Sequence, residues 1–573
     1  MTITIPAAFW LYQRHFQKDK QINEDKHPSR SDTDAIEVQD LRLLQTELAL
    51  NGGGNPTDAS FNQDSSSGSE PNISCPLIRA QYLLVGGGTA SFSAMEAIRA
   101  NDPTADILII SDEDHPPYLR PPLSKELWFN KDQALTKSLC FVDWHGEEKP
   151  VFFQPHSYFE TSHIETPILG KTRLLLGRKG VQLDIRSKTL KLDDDRCITY
   201  DKILLATGGR PKVPPVLSEA PIEIRRHVYT LRNINDFQRL QNAIAPGQEV
   251  AIVGGGFLGS ELAVALAQHS RNHLEGQLKI AQFFPEEGNM ALVFPRYLSR
   301  WTMSRVKKAG VKVVPKVRIS GVSHDPVADK VILSFDDDTV RPADIVLVAI
   351  GIEPNTELAL QAGLELDNER GGIITNAELQ ARSDVYSAGD SISFYDPSLG
   401  VRRRVEHYDH AVLSGKCAGQ NMVDSQKSVP YNSQSMFWSD LGPEVGYEAV
   451  GLVDSRLTTV GVWAEGTSED SPRGADLDPS DIRSQPIGNI TTRHPDLKQT
   501  ASQPDTVVPS PSGEKTYGKG VVFYVKDRRI VGMVMFNLFN RISLARDIIK
   551  QERTVEELQN LVELFNINDV SNN

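Results

Sequence analysis

Two glycine-rich loops carry the clearest chemical signal in this sequence. Residues 86–91 read Gly-Gly-Gly-Thr-Ala-Ser after an apolar run at 82–85, and residues 254–259 read Gly-Gly-Gly-Phe-Leu-Gly after an apolar run at 250–253. In such loops the first glycine permits a tight turn, the glycine two residues later lets the backbone approach a pyrophosphate, and the last small residue packs helix against strand. A helix that begins there also offers unpaired N–H groups to phosphates. The spacing therefore predicts two dinucleotide-binding loops.

A carboxylate follows the next strand-like run after each loop. Asp112 follows residues 107–110, and Glu286 follows residues 280–284. A carboxylate at this position can accept hydrogen bonds from ribose hydroxyls, and Glu286 would also repel a 2′-phosphate. One glycine triplet is weak support on its own, but here two complete motifs are each followed by a further apolar strand. We therefore expect two Rossmann-like domains that bind the AMP halves of FAD or NAD, with NADH preferred over NADPH.

Length and composition exclude several other classes. The chain has 573 residues and a formal net charge of −14, which argues against a generally nucleic-acid-binding surface. No run of eighteen apolar residues occurs, so we predict no membrane span. The cysteines are too far apart in sequence for a CxxC pair, a zinc pattern or a disulfide framework: Cys75, Cys140, Cys197 and Cys417. This spacing excludes the thiol relay of glutathione or thioredoxin reductases.

Longer stretches resemble the family of mitochondrial apoptosis-inducing factors, which are flavoprotein oxidoreductases with two dinucleotide-binding domains. Besides the two loops, strand-like runs end in Ala-Thr-Gly-Gly at 206–209 and in Ala-Gly-Asp at 388–390, in the order that this class shows. The resemblance covers roughly residues 81–566. The stretches that carry it are residues 120–128, 254–263, 284–290, 403–407 and 435–443.

The resemblance implies an α/β fold with two Rossmann-like dinucleotide-binding domains of glutathione-reductase type and an α+β C-terminal domain. The expected boundaries are a disordered N-terminal region at 1–76, an FAD domain at 77–209 and 352–430, an NAD domain at 210–351 and a C-terminal domain at 431–573. A polar stretch at 466–516 reads as a disordered insertion. Residues 1–20 resemble a weak mitochondrial presequence and serve equally well as a disordered terminus.

Positions that match the family's cofactor contacts are implied by the resemblance. Those expected to bind FAD are Gly86, Gly88, Thr89, Ala90, Asp112, Glu113, Arg120, Lys125, Val181, Arg232, Asp390, Glu406 and His407. Those expected to bind NAD are Gly256, Phe257, Leu258, Gly259, Glu261, Glu286, Gly351, Trp438, Glu448 and Asn537. No metal site is expected. One departure concerns Leu292, where the family usually has a lysine that contacts the dinucleotide, and its loss would weaken NADH binding modestly.

The resemblance also implies which side chains act in catalysis. Lys125 would pair with Glu261 near flavin N5, where a cation favours the anionic reduced flavin, and Phe257 would lie on the flavin face where nicotinamide stacks. His407 and Trp144 match residues linked to dimerisation on reduction, although an interior histidine with satisfied hydrogen bonds is an alternative for His407. The expected reaction is slow hydride transfer from NADH to FAD, which gives a long-lived charge-transfer complex and a redox-linked homodimer.

Family members imply partners beyond NADH. These are an intermembrane-space oxidative import protein, a role in respiratory-chain biogenesis, and caspase-independent cell death after release to the nucleus. DNA binding without sequence readout could use Arg402, Arg403 and Arg404, although a solvated basic loop is the commoner meaning of such a triplet. The expected location is the mitochondrial intermembrane space, or the cytosol if residues 1–20 are not a functional presequence. The alternative function is a ferredoxin- or monodehydroascorbate-reducing flavoenzyme, which shares the two-domain core.

Overall fold

The computed structural model describes residues 77–143, 146–160, 170–442, 445–465, 505–506, 517–565 and 567. Within that part of the chain most strands belong to three sheets. The first is a mixed sheet that contains the strand before residues 86–88, the second is parallel and contains the strand before residues 254–256, and the third is a largely antiparallel sheet in the C-terminal part. The predicted fold class is confirmed.

The first sheet is built around strand Leu77–Val85. This strand pairs in parallel with neighbours on both sides, and the register aligns Val85 with Ile110 and Leu205. Because the carboxyl ends coincide, the segments that follow these strands meet at one edge of the sheet. From edge to edge the strands are Gln380–Arg382, Val385–Ser387, Cys197–Leu205, Leu77–Val85, Ile107–Ile110 and Thr172–Leu175, and the hairpin Gly180–Asp184 and Thr189–Leu192 joins Cys197–Leu205.

The second sheet repeats this arrangement around strand Glu249–Val253. Its register places Val253 beside Phe283 and Val348, so the loop at 254–256 again lies at the carboxyl edge. The strands, in order, are Val228–Tyr229, Ile345–Val348, Glu249–Val253, Lys279–Phe284 and Lys312–Pro315, and the accompanying antiparallel sheet contains Ile319–Asp325, Lys330–Phe335 and Val340–Ala343.

The third sheet packs on both faces. On one face Tyr447 and Phe536 share an apolar cluster with Leu262 of helix Phe257–His273, and on the other Met533 packs with Ile548 of helix Ile542–Lys550. The sheet therefore lies directly against the helix that follows the second loop. Its strands, in order, are Met436–Asp440, Gly446–Gly451, Arg529–Phe536, Tyr517–Lys526, Thr458–Glu465 and Asp505–Thr506.

The remaining described elements connect these sheets. Short strand pairs and triplets are Cys140–Val142 with Glu148–Pro150, Gly209–Pro211 with Ile352–Pro354, and Ile373–Ile374 with Ile392–Asp396 and Val401–Arg403. The α-helices are Thr89–Asn101, Glu126–Phe129, Gln133–Lys137, Ser157–Glu160, Pro215–Ser218, Ile222–Arg225, Ile234–Ala243, Phe257–His273, Arg296–Lys308, Glu357–Gln361, Tyr408–Val423, Ile542–Lys550 and Leu558–Leu564. The 3-10 helices are Pro121–Ser124, Gly389–Ser391, Ser425–Lys427 and Val555–Glu557.

The two segments that were predicted to be disordered, residues 1–76 and 466–516, lie almost entirely outside the described residues. Residues 1–76 lie outside them, as do residues 466–504 and 507–516. Asp505–Thr506, within the predicted insertion, forms a strand that pairs in parallel with residues 459–460. Among the described helices, none combines the length and the apolar character needed to cross a membrane.

Helix Thr89–Asn101, which follows the first loop, is fixed by an unusually close helix neighbour. A Cβ atom at Gly415 of helix Tyr408–Val423 would lie 2.3 Å from the carbonyl oxygen of Ala90, and one at Gly419 would lie 2.5 Å from that of Ala94. Such distances are far inside van der Waals contact, so only glycine lets these two backbones approach. The helix pair therefore holds the amino end of Thr89–Asn101 against the first loop.

We expect Gly415→Ala to destabilise the protein by about 1–3 kcal/mol, because overpacking a filled interface has that cost and outweighs the roughly 1 kcal/mol by which alanine favours a helix. FAD content should fall as well, since the displaced helix follows the first loop. Thermal unfolding and the flavin-to-protein absorbance ratio measure both effects. Gln420→Ala, at an exposed position of the same helix, is the matched control and should leave both unchanged; equal stability of the two variants would contradict the packing argument.

Candidate functional site

The first loop has the backbone geometry of a phosphate cradle. Gly86 has a φ of +115°, and a Cβ atom there would lie 2.2 Å from the carbonyl oxygen of Ala206. Gly88 is the N-cap of helix Thr89–Asn101, and a Cβ atom there would meet no heavy atom within 4 Å. Gly86 thus provides the turn, while Gly88 leaves open space in front of the helix N-terminus. A Cβ at Gly88 would occupy that space, so the loop fits the pyrophosphate of FAD.

The second loop has the same backbone geometry as the first at Gly254 and Gly256. Gly254 has a φ of +125°, and its Cβ atom would lie 2.2 Å from the carbonyl oxygen of Ala349. Gly256 is the N-cap of helix Phe257–His273 and again faces open space, whereas a Cβ at Gly259 would lie 2.3 Å from the Gly254 carbonyl oxygen. The third glycine therefore packs helix against loop, and the cradle fits the pyrophosphate of NAD.

The two predicted ribose carboxylates are both available for a ligand. Asp112 is exposed, Glu286 is half-buried, and neither side chain forms a hydrogen bond or ion pair with another described residue. Glu287 contrasts with them, because its carboxylate lies 2.6 Å from Arg296 Nε, 2.9 Å from Arg300 Nη2 and 3.1 Å from Lys316 Nζ. Sequence reasoning missed this cationic cluster, whose members are spread over thirty residues.

Glu113 and Arg120, both predicted to bind FAD, bind each other. Arg120 Nη2 lies 2.5 Å from Glu113 Oε1, and Tyr118 OH donates to Glu113 Oε2 at 2.6 Å. Arg120 Nη1 also donates to the Arg232 carbonyl oxygen at 2.8 Å, and Arg232 Nη2 lies 2.8 Å from Asp390 Oδ2. Four of the predicted FAD residues therefore form one chain of ion pairs and hydrogen bonds. Within it both Glu113 oxygens are already bonded, which makes Glu113 an anchor for Arg120.

Lys125 and Glu261 form a buried ion pair where the two glycine-loop regions meet. Lys125 follows the 3-10 helix Pro121–Ser124, Glu261 lies in the second turn of helix Phe257–His273, and the Nζ–Oε1 distance is 3.1 Å. Each side chain is only 7% exposed. Two hydroxyls complete the Glu261 carboxylate: Ser124 Oγ donates to Oε2 at 2.7 Å and Ser439 Oγ to Oε1 at 2.5 Å. Burial alone would lower the Lys125 pKa, but Glu261 and the nearby acids outweigh it and raise that pKa.

Further acidic side chains surround this pair. Burial raises the pKa of Asp440 to about 7, with Lys125 opposing the shift and Glu126 and Glu261 adding to it. Burial and then Asp440 raise the pKa of Glu448 to about 7, and Glu448 Oε2 is buried without a hydrogen-bond partner among the described residues. Burial also raises the pKa of Glu126. Asp440 and Glu448 therefore take up protons near neutral pH, where exposed carboxyls are ionised.

Aromatic rings cover the remaining side of the site. Phe257 lies edge-on to Phe437 with ring centroids 4.9 Å apart, and His407 lies 4.6 Å from the same ring. His407 Nδ1 is 3.2 Å from Ser435 Oγ. Burial first, and then the neighbouring His410 and Arg403, lower the His407 pKa to about 3, so the imidazole is neutral at physiological pH. Sequence reasoning missed Phe437, Ser439 and Asp440, although all three lie in the stretch 435–443 that carries the resemblance.

The C-terminal sheet places the last three predicted NAD residues side by side. Trp438 and Glu448 are directly opposite in neighbouring strands, and Trp438 packs edge-on against Tyr408 with centroids 5.7 Å apart. Asn537 directly follows strand Arg529–Phe536, which is the neighbour of Gly446–Gly451 in the sheet. Its side chain accepts from the Gly446 N–H at 3.0 Å and donates to the Gly518 carbonyl at 3.3 Å. The Asn537 amide therefore ties strand ends together.

The remaining residues that were predicted to bind a cofactor differ in their exposure to solvent. Thr89 and Ala90 are buried at the start of the first-loop helix, Leu258 is half-buried in the second, and Gly351 has a φ of +99°. Val181 is 46% exposed and Leu292 is 73% exposed. The Glu406 carboxylate lies 2.5 Å from Arg404 Nη1. Trp144 is outside the described residues.

The three consecutive arginines are bonded within the protein. Arg402 donates to the carbonyl oxygens of Ser393 and Thr375, and Arg403 lies 2.9 Å from Asp396 Oδ2 and is 12% exposed. Arg404 is 15% exposed and pairs with Glu406. These contacts do not present a free row of cations, so the geometry gives no support to the expected DNA-binding patch.

Two family models cover most of the described chain. The model described as pyridine nucleotide-disulphide oxidoreductase matches residues 80–415, which is more than half of the sequence. The model described as apoptosis-inducing factor, mitochondrion-associated, C-term matches residues 418–551. The strand that carries Ser439, whose hydroxyl donates to Glu261, therefore lies in the segment that matches the second family model.

Curated relatives agree with both matches. A Drosophila melanogaster protein that carries the name apoptosis-inducing factor 1, mitochondrial is 43% identical over 85% of this chain, and this chain spans 65% of its length. The apoptosis-inducing factor 1, mitochondrial, of Dictyostelium discoideum is 35% identical over 84% of this chain and 80% of its own length. The monodehydroascorbate reductase 4 of Arabidopsis thaliana is 30% identical over 62% of this chain and 70% of its own length.

Solved structures share the fold at lower identity. The reductase in a covalent putidaredoxin reductase–putidaredoxin complex superimposes with a TM-score of 0.63 at 22% identity, covering 84% of this chain and 95% of that one. This likeness shows the fold alone, whereas the family match and the curated relatives show the oxidoreductase class with FAD and NAD as cofactors. The chain therefore belongs to the pyridine nucleotide-disulphide oxidoreductases and, within them, to the apoptosis-inducing factor family.

Proposed function

We propose that this protein oxidises NADH with FAD, as a slow hydride-transferring flavoprotein of apoptosis-inducing factor type. The observation that carries the proposal is the buried Lys125–Glu261 pair, which joins the segment after the first sheet's second strand to the helix of the second loop. Because this pair joins elements that follow the two cradles, we infer that the reactive rings of two bound dinucleotides meet beside it.

The cofactors supply the hydride donor and acceptor, and the protein supplies position and field. Lys125 provides a fixed positive charge in a site of low dielectric, where it stabilises negative charge that develops on a reduced ring. Glu261 holds Lys125 in place and keeps it protonated, and the Ser124 and Ser439 hydroxyls hold Glu261. Phe257, Phe437 and His407 exclude water from the same region. Neutral His407 contributes shape and packing there and no charge.

The finer features of the proposal rest on likeness to the family. They are a long-lived charge-transfer complex, a homodimer on reduction, an oxidative import protein as partner, a role in respiratory-chain biogenesis, mitochondrial intermembrane-space location and nuclear release in cell death. The mitochondrial location is supported by the two relatives whose names include that organelle. DNA binding through Arg402–Arg404 lacks geometric support and is not part of the proposal.

A ferredoxin- or monodehydroascorbate-reducing flavoenzyme is the second candidate. It is favoured by the relatives and structures that carry such names. The contact from Ser439 to Glu261 favours the first candidate, because it comes from the part of the chain that matches the apoptosis-inducing factor C-terminal model.

We expect the wild-type protein, mixed anaerobically with NADH in a stopped-flow spectrometer, to develop a broad long-wavelength absorption band that persists for minutes. The band reports oxidised nicotinamide held against reduced flavin in a site closed to water. Rapid loss of the band on addition of an oxidised ferredoxin would instead favour the second candidate. Protein that retains no flavin after reconstitution would overturn both.

Glu261→Gln serves as the site variant in that experiment. It leaves Lys125 buried without its counter-charge, so the rate of flavin reduction should fall by at least about tenfold, or about 1.4 kcal/mol. Glu353→Gln is the matched control, because Glu353 is about half exposed and, among the described residues, its ion-pair partner is Arg210 at the surface. Equal rates of flavin reduction in the two variants would show that the Lys125–Glu261 ion pair does not contribute to hydride transfer.

Glu286 should determine the preference for NADH. We expect Glu286→Ala to reduce the ratio of NADH to NADPH efficiency by about tenfold or more, since a hydrogen bond to a charged group contributes about 1.5–3 kcal/mol. Steady-state kcat/KM for both nucleotides, with an artificial acceptor, measures the ratio. Glu287→Ala is the comparison: it releases Arg296, Arg300 and Lys316 from their carboxylate and should raise NADPH efficiency while NADH efficiency stays near wild type. An unchanged ratio in Glu286→Ala would remove Glu286 from the ribose site.

The Glu448 carboxyl should make NAD⁺ affinity depend on pH. Its pKa is raised to about 7, so it is protonated below that pH and gains a negative charge above it. A carboxylate beside cationic oxidised nicotinamide should therefore strengthen NAD⁺ binding by roughly fivefold between about pH 6 and pH 8, which corresponds to about 1 kcal/mol of partly screened attraction. Fluorescence titration of NAD⁺ measures this trend. Glu448→Gln, which cannot ionise, should flatten it, and the same slope in both proteins would contradict the placement.

A further inference from the structure

Two histidines and an aspartate converge at the amino end of the second sheet. His227 immediately precedes strand Val228–Tyr229, His324 lies near the end of strand Ile319–Asp325, and Asp329 lies in the turn before Lys330–Phe335. One ligand atom from each lies within 4.8 Å of the others. The nucleotide loop follows the carboxyl end of strand Glu249–Val253, so this cluster lies one strand length, roughly 15 Å, away from it.

Hydrogen bonding fixes the tautomer of His227. Its Nδ1 lies 2.8 Å from the carbonyl oxygen of Asp344. A carbonyl oxygen only accepts, so Nδ1 must carry the proton and, in the neutral ring, Nε2 presents a lone pair. That Nε2 atom is buried and has no hydrogen-bond partner among the described residues. A carbonyl that holds one ring nitrogen while the other points at a shared centre is the outer-shell arrangement of metal-binding histidines.

The two imidazoles differ in their spacing from Asp329, because His324 lies within hydrogen-bonding distance whereas His227 lies at a distance that suits two ligands of one ion. His227 Nε2 lies 3.5 Å from Asp329 Oδ1, and His324 Nε2 lies 2.9 Å from the same oxygen. The longer distance exceeds the N–H···O range of about 2.7–3.2 Å. It matches the separation of about 3.3 Å between ligand atoms that each lie about 2.0–2.1 Å from a tetrahedral ion. Without a cation between them, the Nε2 lone pair and the carboxylate would face each other unfavourably.

The cluster is also accessible from solvent. A cleft of about 340 Å³ is lined by His227 and Asp329 together with Tyr229, Gln248 and Asp344. The side chains of His227 and His324 are 14% and 18% exposed, whereas Asp329 is 58% exposed. A metal ion thus has an entry path and room for a water in an open coordination position.

One cation already competes for the carboxylate. Arg226 Nη2 contacts Asp329 Oδ1, and the Arg226 side chain is 53% exposed. An ion of higher charge placed between the imidazoles would displace this exposed guanidinium into solvent at small cost, because surface ion pairs contribute only about 0–1 kcal/mol. Arg226 therefore weakens the site without blocking it.

We propose that His227, His324 and Asp329 bind a divalent transition-metal ion of the zinc class, at a site separate from the flavin and nicotinamide site. Two imidazoles and one carboxylate with an open position form a ligand set that Zn²⁺ accepts. The ion would link the edge strand of the second sheet to the hairpin that packs beside it.

The test loads the purified flavin-bound protein with Zn²⁺, removes weakly held ion by gel filtration and measures zinc per flavin by mass spectrometry, followed by titration against a chromophoric chelator. Wild-type protein should retain one more equivalent than His227→Gln or His324→Gln. Loss of either histidine should weaken binding by more than the roughly 10–100-fold that loss of an outer-shell partner costs. Zinc X-ray absorption should show imidazole scattering in the wild type.

His156→Gln, a histidine of a different region, is the matched control and should retain wild-type zinc. Arg226→Gln should bind zinc more tightly than wild type, because it removes the competing cation without removing a ligand. Circular dichroism and flavin content check that each variant is folded, and Asp329→Asn, at an exposed position, provides a ligand variant that disturbs packing least. No zinc retained by folded wild type, or equal zinc in wild type and all three ligand variants, would overturn the proposal.

Discussion

A single buried charge pair sets the constraint that the rest of the described structure satisfies. Lys125 and Glu261 lie 3.1 Å apart and are almost fully removed from water. Burying two ions costs several kcal/mol each unless good geometry and further hydrogen bonds compensate. Here compensation needs Ser124 from the first region, the helix of the second loop and Ser439 from the C-terminal sheet. Because the pair is satisfied only when all three elements meet, their mutual placement determines the electrostatic environment of the pair.

The two nucleotide-binding loops satisfy a simpler constraint, which is a tight turn beside a neighbouring strand and an open helix N-terminus. Gly86 and Gly254 both have a strongly positive φ and both lie where a Cβ atom would collide with a carbonyl oxygen of the neighbouring strand end. Gly88 and Gly256 both leave the helix N-terminus open. These roles depend on the absence of a side chain and on local chain geometry, so glycine spacing alone predicts them. The same holds for the strands, whose burial on both faces appears as continuous apolar runs.

What the sequence could not show depends on tertiary partners. The fold class and the Lys125–Glu261 pair were predicted, the pair through family resemblance, yet nothing local indicates that Ser439 completes it. Glu113 was expected at the cofactor, but Arg120 and Tyr118 occupy both of its oxygens, and those partners are fixed only after folding. The arginine triplet is likewise bonded within the protein, because Arg402 and Arg403 find acceptors in the preceding strand, which sequence alone does not show.

The C-terminal sheet changes the chemistry available to the shared two-domain core. It contributes a hydroxyl to Glu261 and places Asp440 and Glu448, each with a pKa raised to about 7, next to Lys125 or to each other. Acids poised at neutral pH can gain or lose a proton as the charge on a bound ring changes, since ionisation of a buried group follows its nearest charges. The C-terminal sheet therefore contributes directly to the electrostatic field at the Lys125–Glu261 pair.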